Sequence, residues 1–287
     1  MPSARARRAA SQPVATLTGS GVARLLPDVD QPGAMLLTLN EVPQSYVDLE
    51  DPTRLEFEYI QRLAHIADAV FPAGARIDAV HLGGGALSLP RYLAQTRPGS
   101  SQLAVEIDGP LIEFVREHLP WDRRWRLKVR TADAREALAS RREGSADLVV
   151  ADAFAGARTP AHLTSVEFVS LAAGVLRPGG VYAANIADGA PLSFARGQAA
   201  TVRAVFPHVV LIAEAAVLRG RRFGNLVLAA SHEPLPLPEL VRRTAGDPFP
   251  ARVTGEEGLD AWIAGATPVT DATAVPSPEP PPGAFEL

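Results

Sequence analysis

Ala79-Val80-His81-Leu82-Gly83-Gly84-Gly85 runs from an apolar strand straight into three glycines, and Leu103-Ala104-Val105-Glu106-Ile107-Asp108 is a second apolar strand that ends in acid. Glu106 follows Gly85 by 21 residues. A glycine-rich turn after a first strand, with a carboxylate at the tip of the second, is how an open α/β sheet holds an adenosine. The glycines let backbone approach the ligand, and the carboxylate accepts from the ribose hydroxyls. The run Gly83-Gly84-Gly85-Ala86-Leu87-Ser88 is not G-x-G-x-x-G, so the dinucleotide fingerprint is imperfect, and glycines at a strand end also serve a turn that needs unusual φ. The preceding strand and the following Glu106 put the ligand reading ahead.

Outward from this pair, strands and helices alternate. Strands are predicted at Ile77–Leu82, Gln102–Ile107, Arg126–Arg130, Asp147–Ala151, Val181–Ile186, Val209–Glu214 and Asn225–Ala230. Helices are predicted at Leu87–Thr96, Gly109–His118, Arg135–Ser140, Thr164–Leu176 and Ala190–Val205. Such alternation means βαβ units and a mainly parallel sheet covered on both faces. No long helix fits between Glu214 and Asn225, so the last two strands pair antiparallel. The expected fold class is therefore α/β, a seven-stranded mostly parallel sheet of the Rossmann-like methyltransferase type. Ahead of it, Val14–Leu17, Val22–Leu25 and Ala34–Leu39 alternate with turn residues and predict a small N-terminal β-meander. Asp51-Pro52-Thr53 then reads as the capped start of a helix over Arg54–Val70.

This gives a basic leader at residues 1–12, a small β-domain at 13–52, a nucleoside-binding domain at 53–232, and a proline-rich extension and tail at 233–287, with a short helix at Leu259–Ile263. Hydrophobic residues make up 47% and charged residues 21%, an ordinary globular balance. A net charge of −4 offers no basic field for nucleic acid. No stretch approaches a membrane span, and the leader lacks the apolar run of a secretory signal. Absence of cysteine excludes disulfides, thiolate metal sites and cysteine nucleophiles, and fits a reducing cytoplasm.

Four more positions carry candidate chemistry. Asp152 ends the fourth strand, at the central carboxyl edge, where it could orient an amine or act as a base. Asp133, after the third strand, either accepts from an adenine amino group or caps the next helix. Asp108 reads as a helix cap, with Pro110 in the first turn. His162, in the loop after the fourth strand, is a candidate substrate contact or a surface histidine. Phe154 is read as core rather than as a stacking ring, and His81 as a buried strand residue. No His/Asp/Glu spacing matches a metal site, and neither a nucleophile elbow nor a P-loop is present.

The order of these motifs resembles the spermidine synthases (polyamine aminopropyltransferases), especially their divergent actinobacterial relatives. The likeness runs from about Gln44 to Ser231. It includes Gln44-Ser45 with Asp48, Phe57 and Tyr59, Leu82-Gly83-Gly84-Gly85, Val105-Glu106-Ile107-Asp108, Asp133-Ala134, Asp152, Thr159–Phe168, Leu176-Arg177-Pro178-Gly179-Gly180 and Gly224-Asn225-Leu226-Val227. The resemblance implies a nucleoside site of Gln44, Gly83, Gly84, Gly85, Glu106, Ile107, Asp133 and Ala134, with Asp152 catalytic and Tyr59 and His162 on the substrate side. It implies S-adenosylmethionine or its decarboxylated form as co-substrate, a small-molecule acceptor and a homodimer. Three positions depart from the pattern. Ala86 stands where an aspartate holds the donor ammonium, Ala155 replaces the second acid of D-x-x-D, and Tyr59-Ile60-Gln61 replaces Tyr-His-Glu. Desolvating ammonium charge without carboxylates is costly. The expectation is thus a spermidine-synthase-like transferase acting by methyl transfer or on an atypical acceptor. The alternatives are a genuine aminopropyltransferase of polyamine biosynthesis, with substitute acids such as Asp188 or Glu214, and a catalytically silent nucleoside-binding relative.

Overall fold

The computed structural model describes residues 12–284, so the expected basic leader lies outside the described residues except for Gln12. The chain first forms a four-stranded antiparallel sheet in the order β1 (Val14–Thr18), β2 (Gly21–Pro27), β3 (Ala34–Leu39) and β4 (Val42–Asp48). The first three strands match the expected meander; β4 is an addition. It follows β3 through a two-residue turn at Asn40-Glu41, whose φ values are 48° and 69°. Positive φ at both positions suits a tight hairpin, a conformation that glycine usually announces. Here the Asn40 side chain supplies the local bonds instead, accepting from the Val22 N–H and donating to the Ser20 carbonyl.

The helix expected over Arg54–Val70 begins later, as α1 (Glu58–Val70), and its N-terminal residue Phe57 gives no side-chain cap. Asp51, expected as a cap, instead accepts from the N–H and hydroxyl of Thr53, closing a local turn that competes with helix. Next come β5 (Asp78–Leu82), α2 (Ser88–Thr96), β6 (Ser101–Glu106), α3 (Gly109–His118), β7 (Arg126–Thr131), α4 (Ala134–Ala139) and β8 (Ala146–Ala151). They are followed by α5 (Val166–Val175), β9 (Leu176–Asp188), α6 (Ser193–Val205), β10 (His208–Glu214), a four-residue helix α7 (Ala215–Leu218) and β11 (Gly224–Ser231).

The large sheet has the order β7-β6-β5-β8-β9-β11-β10-β12. Strands β5 to β9 pair parallel, and β11 runs antiparallel to both β9 and β10, as the short linker between the last two strands requires. An eighth strand, β12 (Ala251–Thr254), adds antiparallel to β10, one more than expected. It is reached through α8 (Leu237–Ala245) and followed by α9 (Glu256–Ile263). Pro236 and Pro238 masked α8 in sequence, yet prolines at the first helical turn are compatible with a helix.

Apolar side chains fill both faces of this sheet. Helices α4, α5, α6 and α9 cover one face, and α1, α2 and α8 the other. The small sheet lays Leu25, Leu37, Leu39 and Val47 against Leu111, Phe114 and Val115 of α3. Asp108 fastens that contact: it caps α3 at Leu111 and accepts from the N–H groups of Gly19 and Ser20. Because β5 leads to β6 on one side and pairs with β8 on the other, a crevice opens at the carboxyl ends of β5 and β8. Among the described residues no helix is long and apolar enough to cross a membrane.

Candidate functional site

The glycine loop begins where β5 ends. Gly83 takes φ +99° and donates its N–H to the Val105 carbonyl at 2.9 Å. A Cβ there would stand 2.1 Å from the Asp152 carbonyl oxygen, and one on Gly85 (φ +47°) would stand 2.6 Å from the Ser45 hydroxyl. The glycines therefore admit the protein's own backbone first: they let the β5 and β8 exits, and the β4 strand, converge on one point. Glu106 completes the rim. One carboxylate oxygen accepts from the N–H of Gly84 (2.9 Å) and Gly85 (3.2 Å), and the other from the N–H of Asp108.

Gln44, Tyr59, Gly83, Gly84, Gly85, Glu106, Ile107, Asp133, Ala134, Asp152 and His162 all line a single cavity over this rim. Asp133 caps α4 with one oxygen, taking the N–H of Arg135 and Glu136, and meets His162 Nε2 at 2.8 Å with the other. Burial raises its carboxyl, but the Glu136 N–H and the His162 ring outweigh burial and hold it below the ordinary range. Its two sequence readings thus coexist, cap and cavity wall. His81 also reaches this wall but is buried against Gln102, and burial pushes its ring down to about 4, so it is neutral.

Asp152 is the focus of the electrostatics. Burial pushes its carboxyl up to about 7; the Asn185 hydrogen bond opposes that rise and the Glu106 charge adds to it. Asn185 Nδ2 donates to Asp152 Oδ1 at 2.9 Å, which leaves Asn185 Oδ1 buried with no partner. Asn185 escaped sequence reading, although a lone amide in the apolar run Val181–Ala187 is a detectable signal. Tyr59 donates to the Gln44 carbonyl, and burial together with the Asp152 charge keeps its phenol protonated.

A second cavity, of about 310 Å³, adjoins the first and shares Gln44, Tyr59 and Phe154 with it. Phe154, expected in the core, is a half-buried wall of both cavities because β8 ends one residue before Asp152 and its exit turns toward the cleft. The two acids considered as substitutes are committed elsewhere. Asp188 accepts from the N–H of Gly189 and of Ala195 at the start of α6, and Glu214 is ion-paired with Arg222. The tail docks on the loop after β8. Asp271 binds Arg135 and Ser165, and Ser277 exchanges hydrogen bonds with Thr159. Among the described residues no cluster of three or more potential ligands is set to hold a metal ion.

A crystal structure of a probable spermidine synthase from Corynebacterium glutamicum is 33% identical to this chain, covering 90% of it and 95% of the other, with a TM-score of 0.85. The chain belongs to the spermidine synthase family. A polyamine aminopropyltransferase from Vibrio vulnificus is 32% identical over 164 residues; that match spans 56% of this chain and 52% of the relative's length. The spermidine synthase of Thermotoga maritima, at 18% identity, shares the fold with a TM-score of 0.61. No protein-family model matches the chain. For a spermidine synthase family member, the three departures sit in informative places. Ala86 is fully buried in the apolar cluster under the small sheet, Ala155 lines the first cavity, and the Gln61 amide donates to the Leu55 carbonyl.

Proposed function

We propose that this chain is an aminopropyltransferase, moving a 3-aminopropyl group from decarboxylated S-adenosylmethionine to an amine. Asp152 carries the reading. It pairs a carboxylate of raised proton affinity with the unpartnered Asn185 Oδ1, two acceptors side by side that suit the N–H groups of an amine nucleophile. The names of the family's relatives, which include a polyamine aminopropyltransferase and spermidine synthases, favour aminopropyl over methyl transfer.

In this reading Glu106 accepts from the ribose hydroxyls, Asp133 faces the adenine, and Gln44 contacts the nucleoside. Asp152 and Asn185 turn the amine lone pair toward the carbon bonded to the sulfonium. A new N–C bond forms as the C–S bond breaks, methylthioadenosine leaves, and the proton released from the amine passes to Asp152. Positioning does most of the work, because the sulfonium already activates the carbon.

The deciding experiment offers the purified chain decarboxylated S-adenosylmethionine or S-adenosylmethionine with 1,4-diaminobutane and follows both products by mass spectrometry. Methylthioadenosine from the decarboxylated donor supports the reading. S-adenosylhomocysteine from S-adenosylmethionine alone would install methyl transfer in its place, a second reading that the apolar Ala86 favours because it leaves the donor ammonium without its acid. Glu106→Gln is expected to weaken methylthioadenosine binding by roughly tenfold or more in calorimetry, since it exchanges a charged acceptor for a neutral one. Unchanged affinity would remove Glu106 from the ribose site.

A further inference from the structure

A groove at the amino edge of the large sheet lies at the opposite end of the strands from the site described above. Asp78 opens β5, Ser101 opens β6, Arg126 opens β7 and Arg177 is the second residue of β9, and all four line it. Its volume is about 560 Å³, the size of a small-molecule cleft. Six cations line it: Arg126, Lys128, Arg130, Arg141, Arg142 and Arg177. Among the described residues Asp78 is the one acid in the lining; Glu143, on the same turn as Arg142, is exposed and lies outside it.

Strand β7 is the outermost of the sheet, and its side chains alternate between two faces. Leu127 and Val129 pack inward, while Arg126, Lys128 and Arg130 stand exposed in a row, roughly 6–7 Å apart. Arg177 is committed. It binds Asp78 at 2.7 Å and Asp147 at 2.9 Å, and Asp147 also accepts from the Asp78 N–H. The carboxylates at the groove are therefore already neutralised. Arg126, Lys128, Arg130 and Arg142 have no side-chain hydrogen bond or salt bridge among the described residues. Arg141 is partly buried, and its Nε and the Ser145 hydroxyl are buried with no partner. Lysine and arginine on an outer strand also guard it against pairing with another chain. That role needs only solvated charge along the strand. It does not account for Arg141 and Arg142, which come from the turn after α4 and line the same hollow, or for donors buried without acceptors. An anion of several charges supplies what the groove lacks. No aromatic ring lines it, so nothing there stacks on a base. Guanidinium forks match phosphate oxygens, and the size of the hollow suits a short chain of phosphates rather than a polymer.

We propose that this groove binds a short condensed-phosphate chain, free or as the tail of a nucleotide, between the row Arg126, Lys128 and Arg130 and the pair Arg141 and Arg142. The inference stands apart from the aminopropyl-transfer reading, because it uses none of the residues at the carboxyl edge.

The test is calorimetry on the full chain with tripolyphosphate, orthophosphate, uridine triphosphate and uridine. Tripolyphosphate is expected to bind one per chain, roughly tenfold or more tighter than orthophosphate, and to weaken as salt is raised. Equal affinity for uridine triphosphate identifies the phosphate chain itself as the ligand, and a preference of roughly tenfold for it identifies the nucleotide as the source of that chain. Lys128→Gln combined with Arg142→Gln is expected to cost roughly tenfold or more in tripolyphosphate affinity, with the thermal midpoint nearly unchanged because both side chains are exposed. Arg219→Gln combined with Arg221→Gln removes the same charge from an exposed turn elsewhere and should leave the affinity as it was. No binding of tripolyphosphate by the wild type, an equal loss in the two double variants, or uridine binding as tightly as its triphosphate overturns the proposal. Tighter binding of single-stranded oligothymidylate than of tripolyphosphate, lost in the Lys128 and Arg142 variant, would overturn it in favour of a nucleic-acid surface.

Discussion

Asp152→Asn is expected to lower kcat by roughly 10²–10⁴-fold with little change in donor affinity. Asparagine keeps the size of the side chain and a partner for Asn185, but it can neither take the proton nor hold the amine as a carboxylate does. The pH profile separates this role from simple positioning. Because the wild-type carboxyl is raised to about 7, the rate should rise as Asp152 ionises through that value. Deprotonation of the free amine adds a further rise at more alkaline pH, and only the inflection near neutrality should vanish in the variant. Stability should move the opposite way. A carboxyl raised on folding stabilises the fold below the ordinary carboxylate range, and that contribution is lost as pH rises through about 7. Asp152→Asn removes the loss, so the variant should gain on the wild type in thermal midpoint as pH rises from about 4 to about 7. A variant that kept its inflection, or lost less than a few-fold in rate, would take the proton-accepting role away from Asp152.

Gly83→Ala is expected to destabilise the fold by about 3–5 kcal/mol, read from denaturant midpoints. Two costs combine. The φ of +99° disfavours any side chain, and the added Cβ would meet the Asp152 carbonyl oxygen at 2.1 Å, a backbone atom with little freedom to retreat. Gly144→Ala supplies the control, because Gly144 also has positive φ (+56°) but nothing within 4 Å of its Cβ. It should cost only the strain, roughly 1–2 kcal/mol. Equal midpoints for the two variants would show that the close approach of the β5 and β8 exits is not what Gly83 serves. Any folded Gly83→Ala should also lose rate, because relieving the clash displaces the backbone of Asp152 itself.

Much of the architecture was legible from the chain. Strands β5 to β9 and the helices between them appear as apolar runs and helical spacings, and those signals are local: each needs only its own few neighbours to be read. The short linker before β11 foretold the antiparallel final pair. The unread parts had local signals that pointed elsewhere. Strand β4 hides behind a turn whose positive φ falls on Asn40 and Glu41 rather than on glycine, and α8 with β12 hides behind prolines that mark a helix start rather than a break.

The site divides along the same line. Sequence alone determined that a glycine turn, Glu106, Asp133 and Asp152 would gather at the carboxyl edge of a parallel sheet, because strand direction and the alternation of strand and helix place successive strand ends on one rim. Only the tertiary structure decided what each residue meets there. It brought Gly83 against the Asp152 carbonyl, left Asn185 Oδ1 without a partner, and engaged Asp188 and Glu214 elsewhere. Those contacts join segments far apart in the chain. Their distances, and the burial that shifts a carboxyl such as that of Asp152, are properties of packing that no local pattern of residues contains.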